Sequence, residues 1–163
     1  MTSMDRLKWL VATCAGCGYS PVFPGTAGAL WAILIYVPIA HLANEPLQTL
    51  LIAVSLLAVS VVTYWLSPWS ETFFGEKDSS RFVTDEVAGF LLTVLLFRTP
   101  NVLLTVVWAF PVTRVIDIIK IPPAKRLEKL PAGWGVLADD LLGSLYAAAL
   151  LHMLAFLLPD LFF

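Results

Sequence analysis

The sequence predicts a bundle of membrane-crossing helices, on three observations. Of its 163 residues, 59% belong to the hydrophobic set and only 13% are charged, against roughly 45–50% apolar in soluble domains. Several windows without Asp, Glu, Lys or Arg approach the ~20 residues that cross a bilayer. Asn44-Glu45-Pro46 and Arg98-Thr99-Pro100-Asn101 separate such windows with turn-like residues, which favours helical hairpins over separated domains. The length allows one domain, residues 1–163, and the chain is too apolar to be disordered.

The amino terminus, MTSMDRLKWLVATCAGCGYSP, begins basic but lacks a compact apolar core followed by a small-residue cleavage site. No cleaved signal peptide is expected. Cys14 and Cys17 make a CxxC spacing without the βαβ context of a redox motif, so they are read as small apolar residues. The first expected span is residues 26–42. The strongest is 47–66, LQTLLIAVSLLAVSVVTYWL. Residues 67–83 read as a surface helix and polar loop. The run 87–97 reaches spanning length only with its polar start included, and 101–119 is apolar until Arg114 and Asp117. The last span is 141–158. This makes about five membrane-crossing or re-entrant helices.

Net charge is −2, from 10 basic and 12 acidic residues. Nucleic-acid binding needs a basic surface, so the expected partner is membrane lipid, and nothing points to a protein partner. With five crossings and the amino terminus inside, Arg6, Lys8, Lys77, Arg81, Arg114, Lys120, Lys125, Arg126 and Lys129 fall on the cytoplasmic side. Only Arg98 falls outside, as the enrichment of Lys and Arg in cytoplasmic loops requires. All acids except Glu45 and Asp160 lie on the same inner side. His41 and His152 lie toward the outer side and read as interfacial or core residues. Trp65, Trp69 and Trp134 suit the cytoplasmic aromatic belt.

Four polar elements thus converge at the cytoplasmic surface. Arg114, Asp117 and Lys120 are spaced i, i+3, i+6 and share a face if the helix continues through them. Ionisable residues inside a span are costly and usually mark function. The plainer reading is an Arg114–Asp117 pair that neutralises itself, with Lys120 snorkelling. Asp85-Glu86 and Asp139-Asp140 open apolar helices, where carboxylates also serve as caps. With Asp117 they repel one another unless a cation binds, and Mg²⁺ prefers such oxygen ligands completed by water and phosphate. The loop holding Pro21, Pro24, Gly25, Thr26 and Gly28 leads into a helix amino terminus, a place for a phosphate. It is not a P-loop, since GxxxxGK[ST] is absent.

SPVFPGTAG, TDEVAGF, RVIDIIKIPP and GWGVLADDLLG, in this order from about Gly16 to Leu150, resemble the phosphatidylglycerophosphatase A family. The resemblance implies an all-α, compact integral membrane bundle with a central helix surrounded by others. It implies a Mg²⁺-dependent phosphatase converting phosphatidylglycerophosphate to phosphatidylglycerol at the bacterial cytoplasmic (inner) membrane. Pro21, Pro24, Gly25, Thr26 and Gly28 match the first motif, and Asp85, Glu86 and Gly89 the second. Arg114, Asp117, Lys120, Asp139, Asp140 and Gly143 complete the set. Ile121, Ala138 and Ser144 depart from the family pattern without removing a charge. The expected reaction is attack by water on the terminal phosphate. Asp85, Glu86, Asp117, Asp139 and Asp140 would share the metal-ligand and base roles, while Thr26, Arg114 and Lys120 hold the phosphate. The sequence lacks the KxxxxxxRP and PSGH motifs of phosphatidic-acid-type phosphatases and the DGxxAR of CDP-alcohol transferases. The alternative is an ion- or proton-coupled transporter built on the same acids.

Overall fold

A computed structural model describes residues 1–127, 130 and 133–162, and no strand occurs among the described residues. Lys129, counted among the inner-side cations, lies outside them. Helix α1 (Ser3–Ala12) starts at a capping box: Thr2 Oγ1 accepts from Asp5 N (3.1 Å), and the Asp5 carboxylate accepts from Thr2 N (3.0 Å). It ends in a tight turn through Cys14 and Ala15, both at positive φ. Val83 N donates to Ala12 O at 3.0 Å, tying the end of α1 to a later segment of the chain.

Helix α2 (Pro24–Leu42) places Pro24 at its first position, where the missing N–H costs nothing. Helix α3 (Glu45–Phe74) is capped by Asn44, whose Oδ1 accepts from Leu47 N at 3.2 Å, and stops at Gly75. The two form the hairpin expected at Asn44-Glu45-Pro46. Helix α4 (Thr84–Leu96) and α5 (Val102–Ile119) form the second hairpin, where Asn101 Oδ1 accepts from Leu103 N (2.9 Å) and Leu104 N (3.3 Å). A short α6 (Ala124–Leu127) precedes the long α7 (Gly133–Leu157).

Helices α2, α3, α5 and α7 are long and apolar enough to cross a membrane. Their outer surfaces expose Leu34, Leu57, Leu103 and Phe156, a pattern suited to acyl chains rather than water. The fifth expected segment differs. Helix α4 has 13 residues, about 20 Å at 1.5 Å per residue, short of a hydrocarbon core ~30 Å thick. It is instead the central helix. Most of its residues are buried, and it packs against α2, α3, α5 and α7. Phe90, Leu91 and Val94 meet Tyr36, Ile52, Ala109 and Leu151 in the core.

Two other boundaries differ from expectation. Helix α3 runs on through Pro68 to Phe74, absorbing half of the expected surface segment. Helix α7 begins at Gly133 rather than near residue 141, so Asp139 and Asp140 lie inside it. They do not open that helix, and an ordinary capping role does not account for them. Gly133 permits this earlier start, because a Cβ there would be 2.6 Å from Tyr64 Cα.

Candidate active site

Four segments distant in sequence meet at one end of the bundle. The first turn of α2 contributes Thr26, the first turn of α4 contributes Glu86, the last turns of α5 contribute Arg114 and Asp117, and α7 contributes Asp140. Arg114 joins them. Its guanidinium pairs with Glu86 and, at 3.2 Å, with Asp117, while its Nε donates to Thr26 Oγ1 at 3.4 Å. One buried cation thereby fastens α2, α4 and α5, with two carboxylates offsetting its desolvation.

Glu86, Asp117 and Asp140 each offer one carboxylate oxygen, and these lie within 4.8 Å of one another. Octahedral Mg²⁺ with bonds of 2.0–2.1 Å holds neighbouring oxygens about 3 Å apart and opposite ones about 4.2 Å apart, so the three carboxylates would draw together around an ion. Glu86, Gly89, Asp117, Asp140 and Ser144 line a cavity of about 10 Å³, on the scale of a single water-sized occupant. Three hard oxygen donors around such a space are a set that could hold a metal ion, beside the Arg114 guanidinium, which lines the same cavity and pairs with two of them. Gly89 allows the close approach of α4 to α7, because a Cβ there would meet Ser144 Oγ at 2.9 Å.

The remaining candidates adjoin this triad without belonging to it. Lys120 does not continue the face of Arg114 and Asp117. It caps α5 in the left-handed region at φ 49°, its N–H reaching Ile116 O (3.0 Å) and Asp117 O (3.2 Å). Its Nζ pairs with Asp139 at 3.2 Å. Asp85 is buried, and its Oδ1 accepts from Glu86 N at 3.1 Å, helping an α4 start whose N-cap Val83 offers no side-chain bond. Burial, then the carboxylates of Asp78, Asp139 and Asp117, hold the Asp85 carboxyl well above its ordinary range.

Pro21 and Pro24 lead into α2. Gly25 faces the Glu86 carboxylate and Gly28 faces Val83, whereas Gly143 makes ordinary contacts with α5. Sequence reasoning missed Thr113, which also lines the small cavity and donates to Thr93 Oγ1 at 3.0 Å. Its only signal was adjacency to Arg114. Likewise Ser144 follows Asp140 by one helical turn and donates to its carbonyl at 2.8 Å. His41 and His152 bond to Val37 O and Leu96 O at the opposite end, as their sequence positions implied. Cys14 and Cys17 are unbridged, and burial pushes the Cys14 thiol up to about 12, which makes Cys14 a poor nucleophile.

No solved structure matches the chain. Among curated proteins, it is 29% identical to phosphatidylglycerophosphatase A of Escherichia coli over 156 residues, covering 92% of this chain and 87% of that one. It is 34% identical over 148 residues to a Bacteroides thetaiotaomicron protein provisionally named a phosphatidylinositol-3-phosphatase, covering 89% and 91%. The model of phosphatidylglycerophosphatase A matches residues 10–155, a stretch containing the Arg114 junction and all three acids of the triad. The chain belongs to the phosphatidylglycerophosphatase A family.

Proposed function

We propose that this protein hydrolyses the terminal phosphomonoester of phosphatidylglycerophosphate, giving phosphatidylglycerol and inorganic phosphate. The observation that carries the reading is the single cation Arg114, held between Glu86, Asp117 and Thr26 beside a triad fit for Mg²⁺. Glu86, Asp117 and Asp140 would hold the ion. Bound there, Mg²⁺ would neutralise developing charge on the phosphoryl oxygens and lower the pKa of a water. Arg114 and the uncapped first turn of α2 would orient the phosphate. Thr26 would help fix the guanidinium by accepting from its Nε. Lys120 would act through Asp139, keeping that carboxylate oriented, while Asp85 organises the start of α4. Helix α4, though short, still passes from the site end to the far end of the bundle, where the adjoining Arg98 donates to Thr49 Oγ1 at 2.7 Å, so the five-pass distribution of Lys and Arg supports a site on the cytoplasmic side of the bacterial inner membrane.

The Bacteroides relative favours a second substrate, a 3-phosphorylated phosphatidylinositol. Both lipids carry a phosphomonoester at the far end of a phospholipid headgroup. The test is phosphate release by the detergent-solubilised protein from each lipid, with phosphatidic acid, excess EDTA and Asp140→Asn as controls. Mg²⁺-dependent release from phosphatidylglycerophosphate, lost in the variant, supports the proposal. Faster release from the inositol lipid would assign that substrate instead. Release from neither by folded protein would overturn the enzyme reading and return the acids to an ion path.

A further inference from the structure

Helix α1 and the turn after it form a hairpin that enters and leaves the bundle at the same end. Lys8 Nζ sits over the ring of Trp69, late in α3, 5.7 Å from its centroid. Ala12 O accepts from Val83 N, just before α4 begins. Cys14 and Ala15 reach deeper, lining a cavity of about 470 Å³ with Val87 of α4, Ile35 of α2, and Ala58 and Val62 of α3. The chain then returns, and Gly18 packs directly on the Arg81 carbonyl. Val62 and Ala58 lie about 10–17 Å along α3 from Trp69. That is close to the ~15 Å that one leaflet contributes to a hydrocarbon core ~30 Å thick.

Charge and backbone chemistry follow the same gradient. Asp5, Arg6 and Lys8 stand in the first half of α1, and no charged residue occurs from Trp9 to Ser20. Every backbone N–H from Thr13 to Ser20 is bonded inside the hairpin, with Ala15 N donating to Leu10 O (2.7 Å), Gly16 N to Thr13 Oγ1 (2.9 Å) and Gly18 N to Thr13 O (3.0 Å). Irregular backbone at membrane depth must have its polar groups satisfied in this way. Positive φ at Cys14, Ala15 and Gly16 reverses the chain within three residues. On its outer side α1 exposes Met4, Leu7, Leu10 and Val11, at helical offsets of three, six and seven, a stripe unsuited to water.

We propose that residues 3–19 dip into the leaflet at the site end of the bundle as a re-entrant hairpin, with this stripe among the acyl chains. Lipid is the occupant because the stripe is continuous with the bilayer-facing surface of the spans. Leu10 and Val11 share their cavity with Trp31 of α2 and Val62 of α3, which are exposed beside them. Arg6, exposed nearer the start of α1, is placed to meet lipid phosphates. The inference needs only the spans and stands apart from the phosphatase reading.

The test attaches a nitroxide at position 7, 10 or 11, each as a single cysteine in the Cys14→Ala, Cys17→Ala chain, in vesicles of phosphatidylcholine and phosphatidylglycerol. Leu57 on the exposed face of α3 and Lys77 in the exposed loop after it serve as references. The ratio of collisions with oxygen to collisions with a water-soluble nickel chelate should exceed that at Lys77 severalfold at Leu10 and Val11, close to that at Leu57. Leu7, nearer the headgroups, should fall between the two references. Nickel collisions at Leu10 and Val11 as frequent as at Lys77 would put the hairpin in water and overturn the proposal. Protection from both probes, with broadening between labels, would give the stripe to a second copy and overturn it as well. The unmodified chain supplies a second readout that needs no variant to fold. A phosphatidylcholine with a photoreactive diazirine in its acyl chain should label residues 4–11 as well as the α3 surface around Leu57. Labelling of α3 without labelling of α1 would overturn the proposal.

Discussion

Gly25 of α2 stands so close to Glu86 of α4 that a methyl group on it would take the place of Glu86 Oε1 and lie 2.8 Å from Arg114 Nη2. The glycine is therefore a spacing element of the charged junction. Gly25→Ala should lower phosphate release about a hundredfold, the scale of a small misplacement at a reacting centre. Alanine favours helix over glycine by about 0.5–1 kcal/mol, so weakening of α2 cannot explain the loss. Steady-state kinetics with a parallel thermal unfolding scan check this, and full activity in the variant would separate Gly25 from the site.

Arg114→Lys tests the junction from the cationic side. The guanidinium reaches Glu86, Asp117 and Thr26 together, and a lysine ammonium lacks that fixed fork. Activity should fall about a hundredfold, with KM for the lipid raised as well. An unchanged KM would show that Arg114 does not hold substrate.

The adjacent acids of α7 should behave differently. Asp140 belongs to the triad, whereas Asp139 pairs with Lys120. Asp140→Asn should lower kcat about a thousandfold or more, while Asp139→Asn and Lys120→Met should each cost about tenfold through lost orientation. Equal losses in the two Asn variants, measured at saturating Mg²⁺, would contradict this division.

Magnesium should also stabilise the fold. Three carboxylates within 4.8 Å repel one another when ionised, and a cation bound only to the folded protein adds about 2.7 kcal/mol at a hundred times its Kd. Thermal unfolding in detergent should shift up by several degrees with Mg²⁺ and down with EDTA, and the shift should disappear in Asp140→Asn. Calorimetric Mg²⁺ titration of the same variant would show whether the triad is the binding site.

Thiol chemistry should leave the enzyme untouched. With its thiol pushed up to about 12, Cys14 is almost wholly protonated at neutral pH and a poor nucleophile. Cys14→Ala with Cys17→Ala should retain wild-type turnover, and alkylating reagents should not inactivate the parent protein at pH 7. Rapid inactivation reversed by the double variant would mean that this turn contributes to the reaction.

The long helices were legible because uninterrupted apolar runs such as 47–66 have one physical solution in a bilayer, and the turns at Asn44 and Asn101 supply their caps. The start of α7 was less legible. Residues 133–138, GWGVLA, contain two glycines that read as a loop in isolation, whereas contact of Gly133 with the Tyr64 backbone makes them the beginning of a helix. The acids of the site were all visible as residue types, but not their grouping. Adjacent positions on a helix diverge by about 100°, so Asp85 parts from Glu86 and Asp139 from Asp140 once neighbouring helices choose a face. Lys120 left its expected face because the chain turns left-handed there, a change no spacing rule contains.

The shortness of α4 sets the order in which this protein must be built. Four helices are long and apolar enough to cross a bilayer, but a 13-residue segment beginning Thr84-Asp85-Glu86 is too short to do so alone. It becomes stable only when the others close around it and Arg114 meets Glu86. Two-stage assembly, insertion followed by docking, is therefore expected, with the candidate site forming only in the second stage. A newly inserted chain carries its acids apart, without a site that could act on the lipids around it.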